Sequence, residues 1–535
     1  MKYDTSLGEM KKYKKIDEIS AILFLGKIKG FGPIKFKGVY EKFGTFAGVL
    51  DFLVKSKERI IDLQKFQEII GENIWSELFQ FLNDEQLTEC KLKAEKIFQR
   101  ANEIGGHLIT YFDEWYPQSL YQTNQCIPII YAIGNKDILK ETKFSAVVGT
   151  RKPCSWTIKE TKKLVRNLVK DGYVIVSGLA RGIDTISHET ALDSNGKTIA
   201  VVGCGPDVCY PPENRELYEW IKRSGLIISE YPFGTKVSSL SLKKRNKIIV
   251  GLSKVVFITE TSVTGGTMNS YLAALEQKKP VKVFLPISNV GGNFTGNLKI
   301  YNDSKIYVEK ISVEDPNLDK LRGIKAILFD LDGTLWDSKE ALCLSIYCLL
   351  RENNVEFKEK EIERLIRQGV SPLRILKSYG VFEMNRFWAL YRKNYSKINL
   401  FLDSEKEILS QIKNSGKIIA IVTSLKRDIA LELLRRFDLN ALISSIISSS
   451  DTRARKPSPI PIQKSIKALK LPAEKVIYIG DTDDDIIAAK NAGCLSGIAA
   501  WNKFVFISRM PDFIFTKFED LLHILGEPTC TTSTE

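Results

Sequence analysis

Soft metal ligands are scarce in this 535-residue chain: it has three histidines and nine scattered cysteines, and no C-x-x-C pair occurs. That excludes a zinc-finger framework and argues for a reducing cytoplasm, with Cys204 and Cys209 expected to pack rather than react. Long apolar runs are missing too. No stretch approaches the roughly 18 residues that a membrane span needs. The opening MKYDTSLGEMKKYKK is polar, so a soluble, unexported, cytoplasmic protein with no membrane partner is expected. What is present is an ordinary globular composition, 44% hydrophobic and 27% charged, at a length that calls for about three domains. The net charge is +14, of which +10 falls in residues 1–322 and +4 from Gly323 onward. The first three fifths therefore favour a polyanionic partner.

Residues 145–188 read as two strand–turn–helix passages in succession. The β-branched runs at 146–148 and 174–176 each end in a glycine-containing turn, and an amphipathic helix is predicted at 156–170 between them. In such a βαβ unit the loops after the strands gather at one edge, where backbone N–H groups and helix N-termini bind anions. The loops offer Gly149, Thr150 and Arg151, then Ser177, Gly178 and Arg181. Glycine permits close backbone approach, hydroxyls donate, and guanidinium forks suit phosphate oxygens. The same glycines also serve as plain tight turns in doubly wound domains.

Further motifs follow in order: SGLARGID-x-x-x-H, VVGCGPDVCYPPEN, ISEYPFGT, KKRNKIIVGLS and a T-G-G turn. With GTR before them, and TYFDEWYPQSLYQ and IPIIYAIGN earlier, they resemble the DNA-processing protein A (DprA/Smf) family over about residues 106–290. The resemblance implies a Rossmann-like parallel-sheet domain that binds single-stranded DNA in DNA uptake and recombination, with a RecA-type recombinase as partner. A homodimer is also expected. Lys243, Lys244, Arg245 and Lys247 form a basic cluster at the start of a helix, and the first three are assigned to DNA phosphates with Arg151. His188 is expected to cap or orient the 177–184 loop, while Asp184 is open between a nucleotide contact and a brace. No enzymatic role is expected here. Gly203-Cys204-Gly205 runs into Pro206-Asp207 instead of a dinucleotide fingerprint, and the turn at 264–270 lacks the glutamate of a related nucleotide-cleaving fold.

Residues 16–105 carry a helical pattern, and KIKGFGPIKFKGVYEKFGT (27–45) resembles a helix-hairpin-helix element ringed by Lys27, Lys29, Lys35 and Lys37. Two readings stand for it, a nucleic-acid hairpin and a plain αα-hairpin.

Past a polar stretch at 312–323, expected to be a linker, IKAILFDLDGTLWDS ends a buried-strand run on Asp330 and Asp332, two residues apart and on one side of an extended backbone. IIAIVTS (Thr423), ARKPSP (Lys456) and VIYIGDTDDDIIAAKNAG (Asp481, Asp485) follow. This order resembles the haloacid-dehalogenase (HAD) superfamily of phosphatases over residues 324–525. Several carboxylates in one cleft call for a divalent cation, and oxygen ligands with a phosphate substrate point to magnesium. The resemblance implies that Asp330 attacks phosphorus while Asp332 protonates the leaving group and then activates water. Thr423 and Lys456 hold the phosphoryl oxygens. Magnesium is assigned to Asp330, the Asp332 carbonyl and Asp481, with Asp485 supporting that shell. A helical cap is expected at about 337–400, with Phe387, Leu390 and Tyr391 in its core and Arg364, Arg367 and Arg374 as candidates for the substrate side.

The expected fold is thus α/β throughout: a helical region at 1–105, a Rossmann-like domain at 106–311, the linker, and a HAD hydrolase domain at 324–535 ending in a disordered polar tail. The phosphatase substrate is a nucleotide, a nucleic-acid end or a small phosphomonoester. The alternative is a nucleotide-signal sensor coupled to a HAD effector, as in a defence system.

Overall fold

The computed structural model describes residues 15–55, 64–303, 305–311, 313, 315–367, 370–401, 404–502, 505 and 507–525. The polar opening and the tail lie outside them. The chain forms two compact units: residues 1–259, 265–282 and 305–309, and residues 260–264, 283–304 and 310–535.

The first unit opens with the expected helices, among them Lys15–Lys27, Pro33–Phe43, Phe46–Lys55 and Asp84–Glu103. Ile19, Phe24, Leu25, Phe46 and Leu53 close its core. The hairpin between the first two helices turns at Gly30, where φ is +85°, and the amides of Ile28, Phe31 and Gly32 bond backbone carbonyls within the turn. Lys27 is held by Gln86 and Glu89, Lys35 by the Ile70 carbonyl, and Lys37 lies 4.9 Å over the Tyr121 ring. Donors and lysines so engaged fit the plain αα-hairpin.

Nine strands follow: β1 (Gly106–Thr110), β2 (Ile129–Gly134), β3 (Phe144–Val148), β4 (Val174–Ser177), β5 (Thr198–Val201), β6 (Leu226–Ser229), β7 (Val255–Ile258), β8 (Val281–Phe284) and β9 (Val308–Ile311). They are ordered β1-β2-β6-β5-β4-β3-β7-β8-β9. The run β6-β5-β4-β3-β7 is parallel, and its strands are buried on both faces except at Val255, as the near-continuous apolar runs require. Helix Ser155–Lys170 joins β3 to β4, as predicted.

The second unit carries β10 (Ala326–Phe329), β11 (Trp336–Asp337), β12 (Asn399–Leu400), β13 (Ile418–Val422), β14 (Ser445–Ile447), β15 (Val476–Gly480), β16 (Leu495–Ala499) and β17 (Phe513–Phe515). Six of these form a parallel sheet ordered β14-β13-β10-β15-β16-β17. β11 and β12 pair as a separate antiparallel ribbon, and the helices Lys339–Glu352, Glu359–Arg367, Pro372–Ser378 and Met384–Lys393 lie between them in sequence, where the cap was expected.

The division of the chain differs in place from the expected linker. Residues 283–304 pack with the second unit: Ser288 makes an antiparallel bridge to Phe513, Ile514 N donates to the Ile287 carbonyl, and Asn289 N donates to that of Asp512. Within 312–323, Asp315 accepts from Ser288 N at 2.5 Å and Asp319–Arg322 form a helical turn. Polarity marked this stretch as a break, but polar side chains here tie the chain down.

Candidate functional site

The parallel order of the second sheet brings the predicted residues together. Thr423, Asp330 and Asp481 stand immediately past the carboxyl ends of three adjacent strands, β13, β10 and β15. Gly333 turns the chain with φ +80°, and a Cβ there would lie 2.1 Å from Asp481 Oδ2; one on Gly480 would lie 2.3 Å from Asp485 Cγ. Both glycines are where backbone must meet carboxylate.

One carboxylate oxygen from each of Asp330, Asp481 and Asp485 falls within 4.8 Å of the others. Lys456 Nζ bridges two of them, 2.9 Å from Asp330 Oδ2 and 2.6 Å from Asp485 Oδ1. Asp485 Oδ2 accepts from Thr482 Oγ1 at 2.6 Å and from Thr482 N at 3.0 Å, and Asp485 N donates back to Thr482 Oγ1, completing the capping box of helix Asp483–Ala492. Burial pushes the Asp485 carboxyl up, but Lys456 and Thr482 outweigh it and hold it below the ordinary aspartate value. Asp330 is pushed up to about 6 by burial, against the pull of Lys456. Asp481 rises well above the usual range through burial and then its neighbours Asp485 and Asp330. Burial disfavours the Lys456 cation, yet Asp330 and Asp485 raise it well above the ordinary lysine value. One cation does not balance three carboxylates in a buried site, so the donor set fits a divalent metal bound by oxygen.

The Asp332 carboxyl is not part of that cluster. Its Oδ1 accepts from Trp336 Nε1 and from Tyr391 Oη, each at 2.9 Å. Sequence reasoning placed Tyr391 in the core, and it is fully buried; its hydroxyl nonetheless has a polar partner, for which tyrosine in place of phenylalanine was the signal. Three more residues escaped notice. Tyr478 Oη bonds Lys456 at 2.9 Å and Asp485 at 3.1 Å. Asn502 Nδ2 donates to the Gly333 carbonyl at 2.7 Å, and Lys339 Nζ reaches Asn502 Oδ1 at 2.6 Å. Lys339 and Asn502 lie outside the quoted motifs, whereas Tyr478 stands within one, in the strand that leads to Asp481. Arg364 and Arg374 are exposed, Arg364 lying 4.0 Å from Glu361.

In the first unit, Gly149, Thr150 and Arg151 follow β3, and Ser177–Gly182 close β4 and lead into helix Ile183–Asp193. The second loop is held at four points. Asp184 Oδ2 accepts from Gly178 N and Ala180 N at 3.1 and 3.2 Å, so it is a brace. Asn214, from the CYPPEN motif, donates to the Leu179 carbonyl at 2.9 Å, fixing a leucine whose φ is +57°. Arg245 Nη1 donates to the carbonyls of Gly178 and of Val201, the latter at 2.7 Å. Arg151, Gly178, Arg181, Gly203, Tyr210 and Arg245 line a small cavity of about 60 Å³ there.

Three expectations are corrected. Arg245 does not stand with Lys243 and Lys244 on the surface: it is 5% exposed, because Arg245, Ile248, Ile249 and Leu252 form the buried stripe of helix Ser239–Leu252. Lys243, Lys244, Arg151 and Arg181 are exposed, Arg181 in an ion pair with Glu213. The Ser177 hydroxyl is buried and donates to the Val147 carbonyl at 2.7 Å, bracing β4 against β3. His188 reaches Thr198 at 2.7 Å, not the loop.

Residues 107–312 match the family described as DNA recombination-mediator protein A, and residues 327–499 match the haloacid dehalogenase-like hydrolases. Protein Smf of Synechocystis sp. is 34% identical over 253 residues, covering 45% of this chain and 58% of that protein. The phosphoglycolate phosphatase of Aquifex aeolicus is 30% identical over 209 residues, 38% of this chain and 97% of that one. Among solved structures, DNA processing protein A from Streptococcus pneumoniae aligns with 56% of this chain and 95% of its own at 28% identity, with a TM-score of 0.42. The chain thus spans a little over half the length of the Smf relative and nearly all of the phosphatase. Residues 107–312 thus carry a match to the DNA recombination-mediator protein A model, and through residues 327–499 the chain belongs to the haloacid dehalogenase-like hydrolases.

Proposed function

We propose that the second unit is a magnesium-dependent phosphomonoesterase working through an aspartyl-phosphate, and that the first binds single-stranded DNA. The observation that carries the first half is the Lys456 bridge between Asp330 and Asp485 beside Asp481. In this reading an Asp330 oxygen attacks phosphorus, Lys456 and Thr423 steady the phosphoryl oxygens, and Asp332 gives a proton to the leaving group and takes one back from water. Magnesium, held by Asp330, Asp481 and the Asp332 carbonyl with Asp485 behind them, would neutralise charge on the phosphoryl group. The substrate class is a small phosphomonoester, a nucleotide or a nucleic-acid end; the Aquifex relative's name supports the first.

DNA binding rests on the braced 177–182 loop beside Arg151 and Arg181, with Lys243 and Lys244 exposed on a neighbouring helix. Phosphate contacts of this kind are sequence-independent and salt-sensitive. A RecA-type recombinase, a homodimer and a cytoplasmic setting belong to the same reading. Among the described residues no helix is long and apolar enough to cross a membrane.

The test is hydrolysis of p-nitrophenyl phosphate by the full chain with magnesium or chelator, alongside a gel shift with oligo-dT. Turnover that ignores the chelator, or that persists in Asp330→Asn within tenfold, refutes the phosphatase half. No shift at low salt refutes the DNA half.

A further inference from the structure

The two hydrogen bonds on the Asp332 carboxyl come from the two ends of the inserted helical segment. Trp336 stands in β11, the outgoing strand of the ribbon, and its indole N–H can only donate. Tyr391 stands in the segment's last α-helix, Met384–Lys393. Its ring is fully buried, with the centroids of Phe387, Trp388 and Tyr395 at 6.3, 5.7 and 5.8 Å. A phenylalanine would satisfy that packing; the hydroxyl serves Asp332, 2.9 Å away.

Two donors on one oxygen have a directional consequence. Oδ1 is committed to accepting, which fixes the plane of the carboxyl and leaves Oδ2 as the oxygen that carries a mobile proton. Asp332 is half-buried, while both donors are buried. We propose that Tyr391, with Trp336, is the positioning residue through which the inserted helices aim Asp332 Oδ2 at the leaving-group oxygen of the substrate. This rests on the acid–base role assigned to Asp332 above. In the first half-reaction a bond forms between an Asp330 oxygen and phosphorus as the ester P–O bond breaks, and the proton on Oδ2 moves to the departing oxygen. In the second, water bonds to phosphorus and returns a proton to Oδ2 as the bond from phosphorus to Asp330 breaks and phosphate leaves. Tyr391 and Trp336 keep their protons throughout. Neither donor belongs to the six-stranded sheet that carries Asp330, so the position of the inserted helices sets the aim of the acid and not the reach of the nucleophile.

The aim matters only where the leaving group needs a proton. The test is kcat/KM of the full chain with magnesium on two esters: p-nitrophenyl phosphate, whose phenolate departs unprotonated, and glycerol phosphate, whose alkoxide does not. Tyr391→Phe is expected to stay within about twofold of wild type on the aryl ester and to lose roughly tenfold or more on the alkyl ester. Trp336→Phe should follow the same pattern, and it carries the test if Tyr391→Phe fails to fold, which a thermal midpoint reports. Equal losses on both esters, or none, overturn the proposal. Asp332→Asn separates the two layers. A larger loss confined to the alkyl ester upholds the acid role, and the tyrosine and tryptophan variants then decide the positioning. An equal loss on both esters overturns the acid role and the positioning with it.

Discussion

Replacing Asp330 by asparagine should remove turnover and, without metal, make the protein more stable. The Asp330 carboxyl is 8% exposed and raised from 3.8 to about 6, chiefly by burial, with Asp485 and Asp332 adding to the rise and Lys456 opposing it. At ~1.4 kcal/mol per pH unit, a rise of that size makes the ionised form about 3 kcal/mol less favourable in the metal-free fold than in the unfolded chain. The sign follows from proton counting. Between about pH 4 and 6 the folded state holds more protons than the unfolded one, so this contribution is intact below about pH 4 and lost as pH rises through 6. Asparagine copies the shape of the neutral acid and cannot ionise, so it escapes that loss. In chelator, denaturant titrations should show variant and wild type alike near pH 4, and the variant ahead by about 3 kcal/mol at pH 8. Magnesium should reverse the order at pH 8, because the wild type offers it three carboxylates and the variant two. Hydrolysis of an aryl phosphate should fall by a factor of ~10³ or more. A stability difference that stays flat from pH 4 to pH 8 would refute the reasoning, since it would mean that Asp330 is not held in a site hostile to its charge.

Gly480→Ala puts a methyl group 2.3 Å from Asp485 Cγ, so isothermal titration should show magnesium affinity falling at least tenfold, the scale of lost support for a ligand. Lys456→Met leaves Asp330 and Asp485 without their shared cation; about 3–5 kcal/mol of stability should go in chelator at pH 8, with part of it restored by magnesium. Arg151→Ala and Lys244→Ala should leave the thermal midpoint unchanged, weaken oligo-dT binding and flatten its log–log salt dependence by about 0.7 for each phosphate no longer neutralised. Arg245→Met, in contrast, strips the Gly178 and Val201 carbonyls and Asp184 of their buried partner and should destabilise the fold by about 3 kcal/mol whatever it does to DNA.

The strands and the meeting of the carboxylates at their ends were legible because they are local. Alternating strand, turn and helix signals fix the order of the elements, and in a parallel sheet a residue just past a strand's end has one place to go, so Thr423, Asp330 and Asp481 converge without further information. Arg245 was legible too, had its helical phase been weighed above its neighbours: it falls in step with Ile248, Ile249 and Leu252, whereas Lys243 and Lys244 do not. Ser177 and Tyr391 were not. A hydroxyl at a strand end can face a ligand or the next strand, and only the partner strand decides; a tyrosine in an apolar stripe reveals its polar partner only when a loop 59 residues away folds beneath it. That residues 283–304 pack with the second unit was not legible, for a related reason. Polarity at 312–323 marks a break in hydrophobic patterning, yet what binds residues 283–304 to the second unit is backbone pairing, which composition does not record.

The pairing at Ser288 bears on how the chain can be cut. β17 is the last strand of the six-stranded sheet, and a terminal strand left open is a template for other chains. Here residues 287–289 cover it. A shortened protein starting at Gly323, where the polar stretch invites the scissors, would bare that strand and tend to precipitate, whereas one starting before Val283 would bring its own cover.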